Sequence, residues 1–220
     1  MQSKLLTITL TLLILAGVAY IVYENYVKKT LFQSGDIIFQ TALTSQHQII
    51  RIATKSKYSH CGIIYEKDGI FYVYEAAQPV KITPLNQWIA KGEHGSYTLK
   101  RLKNADKILT PQALAKIAAE CEKHLGKDHD FISQWSDEKM YSSEYVWKVF
   151  DRALGIQLGE LQKIGDFDLE SLLNIAQAQA ILESLFGGIN NIPLDETIIS
   201  PVAICNSDLL ETIKDTYPGI

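Results

Sequence analysis

Cysteine is scarce in this chain and shows no pairing pattern. The three residues, Cys61, Cys121 and Cys205, are odd in number and form no C-x-x-C pair, which argues against a disulfide framework and against a cysteine-based zinc site. A basic face is also missing. The formal net charge is -4, and the longest cationic stretch, Lys100, Arg101 and Lys103, is interrupted by Leu102 and Asn104. That stretch reads as a solvated strand end, and no nucleic-acid partner is expected. Internal repeats and low-complexity segments are absent, which excludes a repeat architecture. The five histidines are dispersed. Their one tight grouping, His124 with Asp128 and His129, follows a helix end and reads as exposed loop chemistry, so neither a metal nor an organic cofactor is expected.

One long apolar run is present. Residues 5–23 read LLTITLTLLILAGVAYIVY, which as a helix rises ~28 Å against a hydrocarbon core of ~30 Å. The run predicts an N-terminal transmembrane helix. A cleaved signal peptide is the rival, with Lys4 as a basic n-region and Gly17-Val18-Ala19 as a small-residue site, but the apolar run continues past that site. Lys4 on one side and Lys28 and Lys29 on the other leave orientation undecided by charge. Residues 1–33 are thus expected to be a membrane anchor and tether, and residues 34–220 one domain of ordinary size. An inner-membrane anchor with the domain outside the cytoplasm is expected, with export and cleavage as the second choice.

The domain opens at Ser34-Gly35-Asp36, a turn signal before the buried strand Ile37-Ile38-Phe39. A short helix is predicted over residues 43–54, then two strands over 59–65 and 70–76 joined by Glu66-Lys67-Asp68-Gly69, where Asp-Gly marks a hairpin turn. Thr110-Pro111 opens a helix that Gly126 closes. A second, apolar around most of its circumference, runs over 143–154 to Gly155 and is expected to be central and buried. A third is expected over 168–186, followed by a mixed strand-and-loop tail.

The hairpin carries the first chemical inference. A four-residue loop at 66–69, or a two-residue loop at Lys67-Asp68, pairs Tyr65 with Ile70 and sets His60 directly opposite Glu75. Opposed residues on an antiparallel pair share a face with Cβ atoms ~5 Å apart, so the carboxylate can orient the imidazole. It would fix the tautomer and stabilise the imidazolium formed when the other ring nitrogen takes a proton. An ordinary structural His-Glu pair satisfies the same register. Cys61, adjacent in the strand, points to the opposite face and reads as a packing residue. The second candidate is Ser142 in Tyr141-Ser142-Ser143-Glu144, at the start of the buried helix, where free N–H groups and the helix dipole favour an anion. Its spacing from Val146 and Val149 puts it on the core face. Ser-Ser-Glu before an apolar run also reads as a helix cap. Asp130, Trp135 and Tyr141 precede this position and suit either cleft lining or loop packing.

Taken together, Gly35-Asp36-Ile37-Ile38-Phe39-Gln40, Tyr58-Ser59-His60-Cys61-Gly62, Tyr74-Glu75-Ala76, Pro79-Val80-Lys81, Gln87-Trp88-Ile89-Ala90 and Tyr141-Ser142-Ser143-Glu144 with Trp147-Lys148 resemble the bacterial YiiX-type permuted papain-like amidases of the NlpC-type superfamily. The similarity runs in order from Ser34 into the tail. It implies an α+β, circularly permuted papain-like fold, with a small antiparallel sheet or partial barrel packed on a central helix. It also implies His60 as general base, Glu75 as its orienting acid and position 142 as nucleophile, with the backbone N–H groups of Ser142 and Ser143 as oxyanion donors. The expected chemistry is attack on an amide, ester or thioester carbonyl through an acyl-enzyme, on a peptide, lipoprotein or lipid of the cell envelope. One departure stands out: the family motif reads Tyr-Cys-Ser-Glu, and this chain has Ser142. A serine hydroxyl gains little from the helix terminus that would make a thiolate. An exchange made by design, a natural binding module without catalysis, and a natural serine hydrolase using Ser142, His60 and Glu75 each account for it.

Overall fold

The computed structural model describes residues 2–218, apart from the side chains of 2–8, 24–26 and 28–30. The chain forms two compact units, residues 1–33 and 34–220. The first is a single helix, α1 (Gln2–Leu31), exposed over residues 9–23. The transmembrane expectation is not supported. Among the described residues no helix is long and apolar enough to cross a membrane. Residues 5–8 of the apolar run lie outside the residues whose side chains are described.

The second unit is a mixed α/β fold. In chain order it comprises β1 (Ile37–Gln40), α2 (Ser45–Thr54), β2 (His60–Lys67), β3 (Ile70–Ala76), β4 (Val80–Pro84), α3 (Leu85–Ala90), β5 (Thr98–Leu102), α4 (Ala105–Ile108), α5 (Pro111–Glu122) and α6 (Ser142–Leu154). There follow β6 (Gln162–Lys163), α7 (Leu169–Leu173), α8 (Ala176–Phe186), β7 (Thr197–Ile198), α9 (Pro201–Cys205) and β8 (Leu210–Asp215). Six strands make one antiparallel sheet in the order β4-β3-β2-β1-β5-β8, and β6 pairs with β7.

Local chemistry sets the boundaries. Thr110 Oγ1 accepts the Ala113 N–H at 3.2 Å and Pro111 occupies the first turn of α5, the arrangement that satisfies a free amide where proline loses nothing. Gly155 ends α6 with φ 68°, a conformation glycine adopts without a Cβ clash. Asp68 and Gly69 form the β2–β3 turn with φ 53° and 77°, the two positive values a twist-matched two-residue hairpin requires.

One face of the sheet buries Phe39, Cys61, Ile63 and Tyr74 against Tyr145, Val146, Val149 and Phe150 of α6. A second apolar cluster of Ile164, Leu172, Ala178, Leu182 and Ile192 packs on Ile49, Ile52 and Ala53 of α2. The predicted helix over 168–186 is divided, because Ile175 is extended at φ -112° and ψ 109° and separates α7 from α8. Arg101 is not solvated as expected. Its Nε and Nη2 donate to the fully buried Asp36 carboxylate at 2.6 and 2.8 Å, the fork geometry that suits a buried carboxylate.

Candidate active site

The observed hairpin register pairs Lys67 with Ile70, Tyr65 with Tyr72 and Ile63 with Tyr74. The expected Tyr65–Ile70 pairing is therefore wrong by two residues, because the turn is Asp68-Gly69 and not a loop centred one residue earlier. Continued one step, the register sets Gly62 across from Glu75, and a Cβ built on Gly62 would stand 3.6 Å from the Glu75 Cβ. An even displacement leaves the faces unchanged. His60 and Glu75 are thus diagonal neighbours on one face, and Gly62 leaves room between them.

The side chains close that diagonal. His60 Nε2 lies 2.7 Å from Glu75 Oε2, and Thr83 Oγ1 donates to Glu75 Oε1 at 2.6 Å. Lys91 Nζ is 3.9 Å from the same oxygen. Glu75 is only 2% exposed. Burial alone would raise its pKa, but hydrogen bonding and charge from His60, with Thr83 and Lys91 behind them, outweigh burial and lower it to about 2. An ionised carboxylate can only accept, so Nε2 carries a proton, and in the neutral ring the lone pair falls on Nδ1. That Nδ1 is buried and, among the described residues, has no hydrogen-bond partner. Trp88 stacks on the imidazole at 5.8 Å and 24°, and His47 meets it edge-on at 5.6 Å.

Ser142 is the first residue of α6, with Tyr141 as its N-cap. Ser142 is therefore not the cap. The Glu144 carboxylate accepts the Tyr141 N–H at 3.4 Å and pairs with Lys148 at 2.8 Å, while burial raises the Glu144 pKa to about 7 against that pairing. Ser142 and Ser143 line a cavity of about 170 Å³ together with Ser59, His47 and His129. Ser143 Oγ donates to the Ile199 carbonyl at 2.7 Å. The structure does not join Ser142 to His60 by a hydrogen bond. Its hydroxyl stands beside Cys61, the residue after His60, whose fully buried thiol is pushed far up in pKa by burial and lowered in part by Ser142. A thiol so placed is inert.

Two neighbours escaped the sequence. His47 donates or accepts at Thr44 Oγ1, 2.6 Å from its Nδ1. Burial, and then charge at His60 and His129, lower its pKa to about 3, with Glu75 opposing. His129 Nδ1 lies 3.3 Å from the Ala76 carbonyl, and burial followed by His60 lowers its pKa as well. Both flanking imidazoles therefore stay neutral near pH 7, and no local sequence pattern distinguishes them. His124 is not exposed loop chemistry: it is 3% exposed and contacts Glu120 at 3.4 Å. Asp130 lines the cavity but its carboxylate holds the N–H groups of Ile132, Ser133 and Gln134 at 2.9, 3.1 and 2.6 Å. Tyr141 also lines it, whereas Trp135 packs on Trp147 at 5.4 Å.

An antiparallel sheet that supplies a carboxylate-bound imidazole, packed on a helix whose first turn lines a cavity with His47 and His129, fits the papain-like class of hydrolase. A family model described as permuted papain-like amidase enzyme, YaeF/YiiX, C92 family, matches residues 31–214. The chain belongs to that family. It is 44% identical over 186 residues to the protein YiiX of Escherichia coli (strain K12), described as uncharacterized, covering 84% of this chain and 88% of that one. The crystal structure of yiiX from Escherichia coli O157:H7, described as a metalloprotein, is similar at 42% identity and a TM-score of 0.77, covering 86% of this chain and 99% of that one. In this chain, among the described residues, no group of three or more His, Cys, Asp or Glu side chains is placed to hold a metal ion.

Proposed function

We propose that this chain is built for acyl transfer to water at position 142, with His60 as general base and Glu75 as the group that orients it. The single observation behind this reading is the His60 imidazole: Nε2 is fixed by Glu75 at 2.7 Å while the buried Nδ1 is left without a partner. A structural histidine so deeply buried would have both nitrogens satisfied. As the side chain at 142 attacks an amide, ester or thioester carbonyl, Nδ1 takes its proton; the same proton then passes to the leaving amine, alcohol or thiol. The acyl-enzyme is cleared when His60 draws a proton from water. The first-turn N–H groups at Ser142 and Ser143 have no intrahelical acceptor and are the candidate oxyanion donors.

Serine at 142 weakens the first step, since its hydroxyl has no thiolate to form. Comparison of the chain with its Ser142→Cys variant, on an activated ester with mass spectrometry of the product, tests the reading. The variant is expected to acquire an acyl group at 142 at least ~100-fold faster, and His60→Ala is expected to abolish the gain. Acylation elsewhere, or at 142 without need of His60, would sink it. The absence of a Ser142–His60 hydrogen bond favours a second reading, a binding module that keeps the cleft without turnover. The exposed apolar residues 9–23 of α1 support delivery to the cell envelope, and with it an envelope peptide, lipoprotein or lipid as substrate.

A further inference from the structure

We infer that Gln40 and Trp88 are positioning residues for His60: the indole lies on the imidazole and the Gln40 amide oxygen anchors the indole N–H, so that the ring is held with Nδ1 toward position 142. The inference rests on the proposed acyl transfer at that position and names what keeps its base in place.

Among the described residues, three buried side-chain polar atoms have no hydrogen-bond partner: Gln40 Oε1, His60 Nδ1 and Trp88 Nε1. All three belong to one neighbourhood. Gln40, at the end of β1, is the cross-strand partner of His60, so the two side chains share the face opposite the one that buries Phe39 and Cys61 against α6. Trp88, on α3, stacks on the His60 ring at 5.8 Å and 24°. Gly92, two residues past the end of α3, meets Gln40: a Cβ built there would stand 2.6 Å from Gln40 Oε1 and 3.3 Å from the Gln40 Cβ. Its φ of -74° is open to any residue, so the contact with Gln40, and not the backbone, calls for glycine. The segment from Trp88 to Gly92 thus touches both His60 and Gln40, and Lys91 adds the 3.9 Å approach to Glu75.

A buried donor or acceptor left unpaired gives up its hydration for nothing, and native folds keep few such groups. Of the three atoms, His60 Nδ1 already has its work in proton transfer. The other two are complementary. Trp88 Nε1 can only donate and Gln40 Oε1 can only accept, and they satisfy each other directly or across one bridging water. The consequence reaches the base. An imidazole tied to Glu75 through one nitrogen can still pivot about that bond, and a misplacement of ~1 Å costs up to ~100-fold in rate. An indole on the ring face stops the pivot only if the indole is itself held, and its N–H is the one polar handle it offers.

The test uses the full chain in two arms. In the first, Gln40→Met, which keeps the length and removes the acceptor, and Trp88→Phe, which keeps a stacked ring and removes the donor, are each added to the Ser142→Cys variant. Each is expected to lower the acylation kcat with an activated ester at least ~10-fold with KM within about twofold, and to move the alkylation profile of the thiol toward the ~8.5 of free cysteine. The two changes together are expected to lose no more than the worse of them alone, because both break one contact. Effects that multiply, or a lower urea midpoint with rate and profile unchanged, would overturn the positioning role and leave acyl transfer standing. Should Trp88→Phe fail to fold, Gly92→Ala, which displaces the amide without removing it, takes its place with the same expectation. In the second arm, proton NMR of the chain with its own Ser142 reads the His60 Nε2–H, assigned by its loss in His60→Ala. A slowly exchanging signal is expected, which Gln40→Met broadens or removes. Should no ester acylate the Ser142→Cys variant, the hydrolase reading fails, and this arm alone decides the positioning: a signal that Gln40→Met leaves unchanged would overturn it.

Discussion

Among the described residues, two buried histidine–glutamate pairs differ in what their second ring nitrogen does. His60 and Glu75 join adjacent strands at 2.7 Å, and His60 Nδ1 has no partner among the described residues. His124 and Glu120 lie one helical turn apart at the end of α5, 3.4 Å from each other, and His124 Nδ1 is 3.1 Å from Lys127 Nζ. Burial, and then the Lys127 charge, lower the His124 pKa. Glu120 also serves Lys123 at 2.5 Å and stands 3.8 Å from Arg152. A carboxylate beside an imidazole does not by itself make a base. The proposed base needs one nitrogen fixed and the other unengaged, and of these two His60 has both; His124 is part of an ion-pair network that holds α5 and α6.

The sharpest way to break this comparison is to remove each carboxylate in turn from the Ser142→Cys variant. Glu75→Ala is expected to reduce the acylation rate by ~10²–10⁴, the scale of losing a base and its orienter. Glu120→Ala is expected to leave that rate unchanged and to cost ~1–3 kcal/mol of stability. Equal loss of rate from the two would erase the distinction.

The geometry beneath the His60–Glu75 pair gives the next effect in size. A Cβ at Gly62 would run into Val73 Cγ1 and come within 2.7 Å of the Tyr74 carbonyl oxygen. Gly62→Ala is therefore expected to destabilise the domain by ~1–3 kcal/mol, read as a lower urea midpoint. An unchanged midpoint would mean that the strands can part without penalty at that point.

The smallest effect is electrostatic. The folded Glu75 pKa is held at about 2, below its usual 4.5, so its contribution to stability is present above pH ~4.5 and lost as pH falls from there through 2. Thr83→Val removes one of the hydrogen bonds to the carboxylate, costs ~1 kcal/mol, and is expected to move that acid limb to higher pH. Thermal melts from pH 2 to 6 measure it; a limb that stays in place would show that Thr83 does not hold the charge.

Much of this site was legible along the chain because strand parity is robust. Asp68-Gly69 announced a hairpin, but Glu66, Lys67, Asp68 and Gly69 offered several ways to close it, and the register came out two residues away. Since side chains alternate with period two, His60 and Glu75 still share a face. The N-cap of α5 and the end of α6 were local signals and fell where Thr110-Pro111 and Gly155 put them, whereas α5 stops at Glu122, short of the Gly126 expected to close it. What stayed hidden depends on tertiary placement. His47 reaches His60 from α2, whose other side packs on α7 and α8, Trp88 because α3 packs on β3 and β4, and His129 because the loop after α5 returns to Ala76; none of these approaches has a spacing to read. The break at Ile175 was masked by the apolar residues on both sides of it.

The most direct measurement is pH-dependent alkylation of the Ser142→Cys thiol, read at that residue by mass spectrometry with and without His60→Ala. With His60 present the thiol is expected to react as a thiolate below pH ~7.5, well under the ~8.5 of free cysteine, and to lose that shift when His60 is removed. A thiol that titrates like free cysteine, or stays unreactive, in both backgrounds would contradict His60 as the base for position 142.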